Sequence, residues 1–275
     1  MAEIEYTIFA VRRAIRHAVR APRHWWNAVG WTKERDVAPT FPQYSRGTCP
    51  ICETVVKFVI WGDDYRNQYL CETCLNYSVP RERALAAVLK RLYPNWRELS
   101  IHESSPVDRG LSAQMKRQCA DYVATQYYPG MALGELHKGF RNENLEQSTF
   151  PDARFDLVVT QDVMEHVNDF PKALRDINRT LKPGGAHIFT TPTYVALKTL
   201  QWATYVDGKI RWIYEPEYHG NPVDDDGAPV TFHYGYDFPD LIHEHAGLAT
   251  EVVRIHDPSR GIAGPMNEVY IVAKQ

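Results

Sequence analysis

The 275-residue sequence contains no apolar run of the roughly 18 residues that a membrane-crossing helix requires, and no continuous apolar stretch near its start that would read as an export signal. A reducing, cytoplasmic setting is therefore expected, in which its five cysteines would not pair as disulfides. Charge of one sign is also lacking. The formal net charge is −3, which gives no general electrostatic pull toward nucleic acid. With 44% hydrophobic and 24% charged residues, the composition excludes disorder and leaves enough chain for a full core plus a small extra module. Glycine is missing where it would be most expected. In "ELSIHESSPVDRG", residues 98–110, a short apolar strand turns toward a helix with no glycine before Gly110. In nucleotide-binding α/β domains that turn is normally glycine-rich, so that backbone can press against a ligand.

What is present falls into three segments. In "IEYTIFAVRRAIRHAVRAPRHWWNAVGW", Ile4, Ile8, Val11, Ile15 and Val19 recur at spacings of three and four, which predicts an amphipathic helix. Arg12, Arg13, Arg16, Arg20 and Arg23 flank the stripe, and Trp25, Trp26 and Trp31 follow Pro22. Residues 1–40 thus read as a basic helix and linker. Its stripe fits the body of the protein, a partner subunit (a homo-oligomer included), or an anionic membrane surface bound peripherally through residues 4–31.

Residues 41–80 carry "CPIC" and "CETC". Cys49 and Cys52, then Cys71 and Cys74, form two knuckles separated by 18 residues, a four-cysteine zinc pattern. Two thiolates three residues apart on a tight turn reach one ion together, and a second such turn completes the tetrahedron. With four cysteines no position stays open for water, so the zinc reads as structural. The intervening "VVKFVIWGDDYRNQYL" alternates like a hairpin turning near "GDD".

From Arg81 onward helix and strand patterns alternate. "RERALAAVLKRLY", "LSAQMKRQCADYV" and "FPKALRDINRTL" read as helices; "ELSIH", "YVATQYY", "FDLVVTQDV" and "AHIFTTP" read as strands. Helices between apolar strands predict a parallel sheet covered on both faces. "TEVVRI" and "NEVYIVAK" add two strands, expected as an antiparallel pair at the sheet edge.

The run "FPDARFDLVVTQDVMEHVNDFPKALRDINRTLKPGGAHIFTTP", residues 150–192, resembles the centre of class I S-adenosylmethionine-dependent methyltransferases of the type 11-like group, with their "FDLV…EHV…LKPGG" signature. The likeness covers roughly residues 96–192. A four-cysteine ribbon ending in an arginine-rich stretch, here "RER" at 81–83, resembles a subset of these enzymes. The resemblance implies a Rossmann-like doubly wound sheet over residues 81–275, S-adenosylmethionine as cofactor, and a substrate lid at about 193–245. It places Glu103 at the acidic end of the first strand, facing the cofactor's ammonium, with Ser104 and Ser105 where the family has glycine. A register set back by one residue, with His102 at the glycine, stays open. Gln126 falls where the family keeps an acid for the ribose hydroxyls. Asn144 falls where it keeps an aspartate for the adenine amino group, with the Leu145 backbone N–H toward a ring nitrogen. Two carboxylates have thus become amides. Gln161 ends the fourth strand, where ligands of open α/β sheets bind.

Glu165 and His166 then open the following helix, and His166 is one catalytic candidate. The stretch "IYEPEYHGNPVDDDGAPVTFHYGYDFPDL" supplies two more, His219 and His233. Methyl transfer needs alignment above all, and a hydroxyl acceptor also needs a base, for which histidine has the right pKa range. Tyr234, Tyr236 and Asp237 are the expected orienters of His233. The leading function is methylation of a small molecule or glycan, at a hydroxyl. Nucleic-acid methylation guided by the ribbon, which the net charge disfavours, and a catalytically silent partner protein are the alternatives.

Overall fold

The computed structural model describes residues 6–7, 40–195, 198–221 and 226–275. Strands β1 (Tyr6–Thr7), β2 (Gln43–Thr48), β3 (Val55–Ile60) and β4 (Tyr69–Leu70) precede the main body, with the one-turn helix α1 (Tyr65–Gln68) between β3 and β4. Tyr6 and Thr7 pair with Val253 and Val252 as strand, not as the expected start of a helix. An aromatic and a β-branched residue suit an open sheet edge better than a helical turn. The rest of the helix expected over residues 4–31 lies outside the described residues.

The body runs α2 (Pro80–Leu92), β5 (Ser100–Ser104), α3 (Gly110–Gln118), β6 (Asp121–Gln126), β7 (Leu136–His137), β8 (Phe140–Asn142), β9 (Phe155–Gln161), α4 (Phe170–Thr180) and β10 (Leu181–Thr190). An insertion of short strands follows: β11 (Thr193–Tyr194), β12 (Leu200–Gln201), β13 (Ala203–Val206), β14 (Lys209–Trp212), β15 (Tyr218–His219), β16 (Ala228–Pro229) and β17 (Phe232–Gly235). Helix α5 (Phe238–Ala246), β18 (Glu251–Val253) and β19 (Val269–Ala273) close the chain.

The main sheet has the order β1-β18-β19-β10-β9-β5-β6-β8-β7. Strands β8, β6, β5, β9 and β10 are parallel, and β19 is antiparallel to both β10 and β18. The C-terminal strands pair antiparallel at this end of the sheet as expected, with only the two-residue β1 beyond β18, and β19 takes the inner place against β10. Its burial explains this. "VYIV" is apolar at every position and needs a neighbour on both sides and both faces, as its burial pattern of four buried residues shows. Chain order reverses direction between β5 and β9, which makes the carboxyl ends of those strands the switch point.

The apolar run of β9 splits by strand alternation. Leu157 and Val159 join one core with Leu85, Leu89, Leu111 and Met115 of α2 and α3. Val158 joins the other, with Leu174 and Ile177 of α4 and Phe238 and Ile242 of α5. Helix α4 follows from its sequence: Phe170, Ala173, Leu174 and Ile177 repeat at helical spacing and are buried, Pro171 sits in the first turn, and Asp169 caps Lys172 N at 2.9 Å.

The ribbon, the antiparallel sheet β2-β3-β4, shares the first core: Cys49, Phe58 and Tyr69 belong to the same cluster as Leu85 and Ile101. Its hairpin turns at Gly62-Asp63-Asp64 with α1 completing the turn, and Val59 and Ile60 face Leu70 and Tyr69. Gly47 presses on the loop around Ser259 so closely that a Cβ would lie 1.7 Å from Ser259 O. Buried Arg83 locks the joint, donating to Gly261 O at 2.8 Å and Tyr69 O at 2.7 Å, with Ser78 O as a third acceptor. Among the described residues no helix is long and apolar enough to cross a membrane.

Candidate active site

At the ribbon tip the four thiols converge. Cys49 Sγ and Cys74 Sγ are 3.6 Å apart and Cys52 Sγ and Cys71 Sγ 3.9 Å. Four sulfurs at about 2.3 Å from one tetrahedral ion stand roughly 3.8 Å apart, so this donor set fits zinc. It does not fit disulfides, whose sulfurs lie about 2.05 Å apart, and all five cysteines are free. Lys90 Nζ fixes the first knuckle through Pro50 O (2.8 Å) and Ile51 O (2.9 Å), and Gln114 Nε2 donates to Ile51 O at 2.8 Å.

The second knuckle reaches the loop between β5 and α3. Gly110 N donates to Leu75 O (3.0 Å), and Asn76 Nδ2 donates to Asp108 O (2.7 Å). Arg109 Nε bonds buried Glu82 at 2.7 Å, and a Cβ on Gly110 would stand 2.3 Å from Glu82 Oε2. The glycine at 110 thus serves packing against Glu82 of α2 and Ser78 just ahead of that helix. Ser105, expected at the first glycine of the signature, adopts a left-handed backbone with φ of 54°, and its N–H donates to Thr125 O at 2.8 Å. A serine there costs about 1–2 kcal/mol relative to an unstrained residue, and the clamp from the ribbon holds the loop that contains it. His102 lies inside β5, its ring stacked on Phe155 at 5.2 Å and Nε2 bonded to Thr125 Oγ1 at 2.8 Å.

Glu103 is fully buried beneath this loop. Its Oε1 accepts from Ser112 Oγ (2.6 Å) and Gln161 Nε2 (2.7 Å), and its Oε2 from Tyr122 OH (2.6 Å). Burial raises its pKa to about 6 despite those three donors. Both oxygens are thus turned inward, and the atom left over is on Gln161, whose Oε1 is buried with no hydrogen-bond partner. The sheet register brings the other expected cofactor residues to the same end: Ser104 pairs with Thr125 and Thr160, and Gln126 with Asn142. Gln126 is buried, and Asn144 Oδ1 accepts from Glu146 N at 2.9 Å, a local turn that orients it.

Beyond Gln161, Asp162 takes an ion pair from Arg66 and another from Arg81, each at 2.6 Å. Burial alone would raise its pKa, yet the Arg81 and Arg66 guanidiniums and the Thr190 hydroxyl hold it at about 2. Sequence reading missed this trio, since 96 residues separate Arg66 from Asp162 and no local pattern links them. Glu165 and His166 sit in a separate 3-10 turn, Met164–His166, and not at the start of the next helix, which begins at Phe170.

The insertion brings His219 and His233 to this turn. His233 is held between Trp202 and Tyr194, its ring 4.1 Å and 4.9 Å from theirs and nearly parallel to both, and its Nε2 bonds Glu217 Oε2 at 2.9 Å. Its expected orienters do other work. Tyr234 donates to Met164 O, Tyr236 to Glu268, and Asp237 accepts from Thr199. In β17 Phe232 and Tyr234 alternate into the core while His233 faces the other way, so its polar partner comes from across the insertion. Burial lowers the His233 pKa, with the Glu217 carboxylate opposing. His219 Nε2 bonds the other oxygen of Glu217 at 3.3 Å. The alternation E-Y-H around Tyr218 was the available signal for Glu217.

Nearby, a cavity of about 540 Å³ opens between the ends of β18 and β19 and the segment after β17. Tyr236, Arg254, Asn267 and Glu268 line it, and buried Asn267 Oδ1 and Glu268 Oε2 have no hydrogen-bond partner. Arg66 donates both to Met266 O in its wall and to Asp162.

The methyltransferase domain family matches residues 109–189. Over 108 residues the chain is 32% identical to malonyl-[acyl-carrier protein] O-methyltransferase of Pseudescherichia vulneris, covering 39% of this chain and 37% of that protein. Over 49 residues it is 45% identical to dimethylglycine N-methyltransferase of Parasynechococcus marenigrum (strain WH8102), covering 18% of each. The chain thus spans well under half the length of these curated relatives. A solved S-adenosylmethionine dependent methyltransferase from Mesorhizobium loti superposes with a TM-score of 0.44 at 16% identity, over 70% of this chain and 98% of that one. The domain match falls on α3 through β10 and includes β9, one of the two strands at the switch point.

Proposed function

We propose that this methyltransferase domain is an active S-adenosylmethionine-dependent enzyme whose acceptor is a small molecule or glycan, methylated at a hydroxyl. What supports the reading is that Ser104 stands level with Thr125 and Thr160 at the carboxyl ends of the parallel strands, and that Gln161 Oε1, one residue beyond Thr160, is buried without a partner. The donor set fits the cofactor. Gln161 Oε1 would accept from its ammonium, and Glu103, which accepts from Nε2 of the same amide, would make that oxygen the more negative. Gln126 would serve the ribose hydroxyls, and Asn144 and the Leu145 N–H the adenine edge. When bound, the cofactor supplies the electrophilic methyl group and its own leaving group.

The remaining work belongs to the chain: to align an oxygen nucleophile and take its proton. With Nε2–H directed at Glu217, His233 keeps Nδ1 as an acceptor, the tautomer a general base requires. The cavity beside Arg66, with Tyr236, Arg254, Asn267 and Glu268 in its lining, offers both polar and apolar side chains to a small hydroxyl-bearing acceptor. The four cysteines hold a structural zinc in this reading, and the net charge of −3 argues against a nucleic-acid acceptor.

Titration calorimetry with S-adenosylmethionine tests the cofactor site. Micromolar binding is expected, weakened roughly ten- to a hundredfold in Gln161→Leu, since a hydrogen bond to a charged group contributes about 1.5–3 kcal/mol. No binding by the intact chain would make it a silent relative. Turnover measured across glycosides and small phenols then sorts the acceptors.

A further inference from the structure

Glu165, His166 and His219 form a second cluster of ligand-type side chains, remote in sequence from the four cysteines. One ligand atom from each lies within 4.8 Å of the others. His166 Nε2 is 3.8 Å and His219 Nδ1 4.0 Å from Glu165 Oε1. We propose that these three residues bind a divalent transition-metal ion.

The far side of each ligand is already fixed. His166 Nδ1 is 2.9 Å from Pro229 O, so that nitrogen donates and Nε2 carries the lone pair. His219 Nε2 engages Glu217 Oε1 at 3.3 Å, which leaves the lone pair on Nδ1. Glu165 Oε2 accepts from Thr191 Oγ1 at 3.0 Å. Outer hydrogen bonds of this kind set the tautomer and ring orientation of metal-binding histidines. The second, independent observation is Glu165 Oε1. Glu165 is 1% exposed, and this oxygen has no hydrogen-bond partner. It faces two imidazole lone pairs at distances too long for a hydrogen bond, an arrangement of three acceptors that a cation satisfies and a single proton does not.

The dimensions agree. Ligands about 2.1 Å from a shared ion stand roughly 3.0–3.4 Å apart, so the set closes on an ion by a contraction of about an ångström. His219 is the ligand placed to move. Its side chain is 37% exposed on the short strand β15, while Glu165 is fixed behind β9. Two imidazoles and one carboxylate with open positions suit Zn²⁺, Fe²⁺ or Mn²⁺. The ion would tie the insertion to the end of β9. That an acceptor oxygen takes one of its open positions rests on the methyl-transfer reading above; the binding of the ion does not.

The test uses the full chain, dialysed against a mild chelator and titrated with Zn²⁺, then with Co²⁺ as a spectroscopic probe. One equivalent of Zn²⁺ beyond that held by the cysteines is expected. Co²⁺ there gives visible d–d bands without the near-ultraviolet thiolate charge transfer of the cysteine site. His219→Ala, at a partly exposed position, should weaken this equivalent at least tenfold and leave the thiolate signature intact; Glu165→Gln should do the same. If Glu165→Gln does not fold, His166→Ala replaces it. A wild-type chain that takes up no second equivalent, or a second equivalent that persists in His219→Ala, overturns the proposal. Uptake is read without any assay of methyl transfer, so an inactive enzyme that still binds the ion would count against the activity alone.

Discussion

The ribbon and the insertion are both small β structures that reach the carboxyl ends of the parallel strands, and they treat their donors in opposite ways. In the ribbon four thiols face one another and the surrounding carbonyls are taken by Lys90, Gln114 and Arg83. In the insertion the aromatic walls are well packed, but Glu165 Oε1 beside it is left without a partner. A closed donor set spends its interactions on shape. An open one keeps a buried polar atom in reserve, which is costly unless a ligand uses it.

The sharpest way to break this contrast is Cys71→Ser. Zinc in four-cysteine modules contributes on the order of 10 kcal/mol, and Leu75 and Asn76, which clamp the β5–α3 loop, lie just past the second knuckle. The variant should lose its thiolate-bound metal, become open to protease within residues 49–76, and bind S-adenosylmethionine more weakly. Unchanged cofactor affinity in a zinc-free variant would separate the ribbon from the site.

His233→Ala probes the other side. It should lower turnover by about 10²–10⁴ with cofactor affinity within a few-fold, typical of a lost general base, and the neutral limb of the pH–rate profile should vanish with it. Equal turnover in variant and wild type would leave His233 as a packing element between Trp202 and Tyr194.

Arg83→Met comes next. It leaves the carbonyls of Tyr69 and Gly261 without the guanidinium donor, at about 1–3 kcal/mol for each buried group, while Ser78 O keeps Cys71 N at 3.0 Å. Urea denaturation should show a loss of at least about 2 kcal/mol. A smaller loss would mean that apolar contact, and not the buried guanidinium, fastens ribbon to body.

The smallest effect concerns Glu103. Its carboxyl titrates near 6 when folded, against an ordinary value of 4.5, because it is buried. The folded state therefore holds this proton more tightly. The resulting stability is fully present below about pH 4.5 and is lost as pH rises through 6. Relative to Glu103→Gln, wild type should lose about 2 kcal/mol across that window, at about 1.4 kcal/mol per pK unit. Any fixed cost of the amide facing Ser112 and Tyr122 cancels in this difference. A difference curve that is flat with pH would show that burial leaves the carboxyl's affinity for its proton unchanged, and one that rises with pH would show the carboxylate to be stabilised as an ion.

Legibility in the sequence followed locality. The alternation of helices and strands from Arg81 was readable because each element carries its own pattern, as in Phe170, Ala173, Leu174 and Ile177. The cysteine knuckles were readable for the same reason: spacing alone brings two thiols together. Glu103 was found at the strand end, but the direction of its oxygens was not, because Tyr122 and Gln161 approach from neighbouring strands. The same limit hid Glu217 as the partner of His233 and Arg66 as the partner of Asp162. Sixteen residues separate Glu217 from His233 and 96 separate Arg66 from Asp162, so no local pattern records either pairing. The place of β19 inside the sheet was equally silent, since an apolar strand looks alike at an edge or beside β10.

Asn76 and Leu75 hold Asp108 and Gly110 by backbone atoms, whatever side chains the loop carries. The loop has therefore been released from a constraint on its own composition and made dependent on a neighbour's. Substitutions at Pro106 to Asp108 become tolerable as long as the ribbon is kept, whereas a chimera joined near residue 80, with a ribbon from another source, would inherit a loop shaped for a support it no longer has. For protein engineering the transferable piece is the ribbon and the sheet together, with its first exchangeable boundary ahead of Gln43.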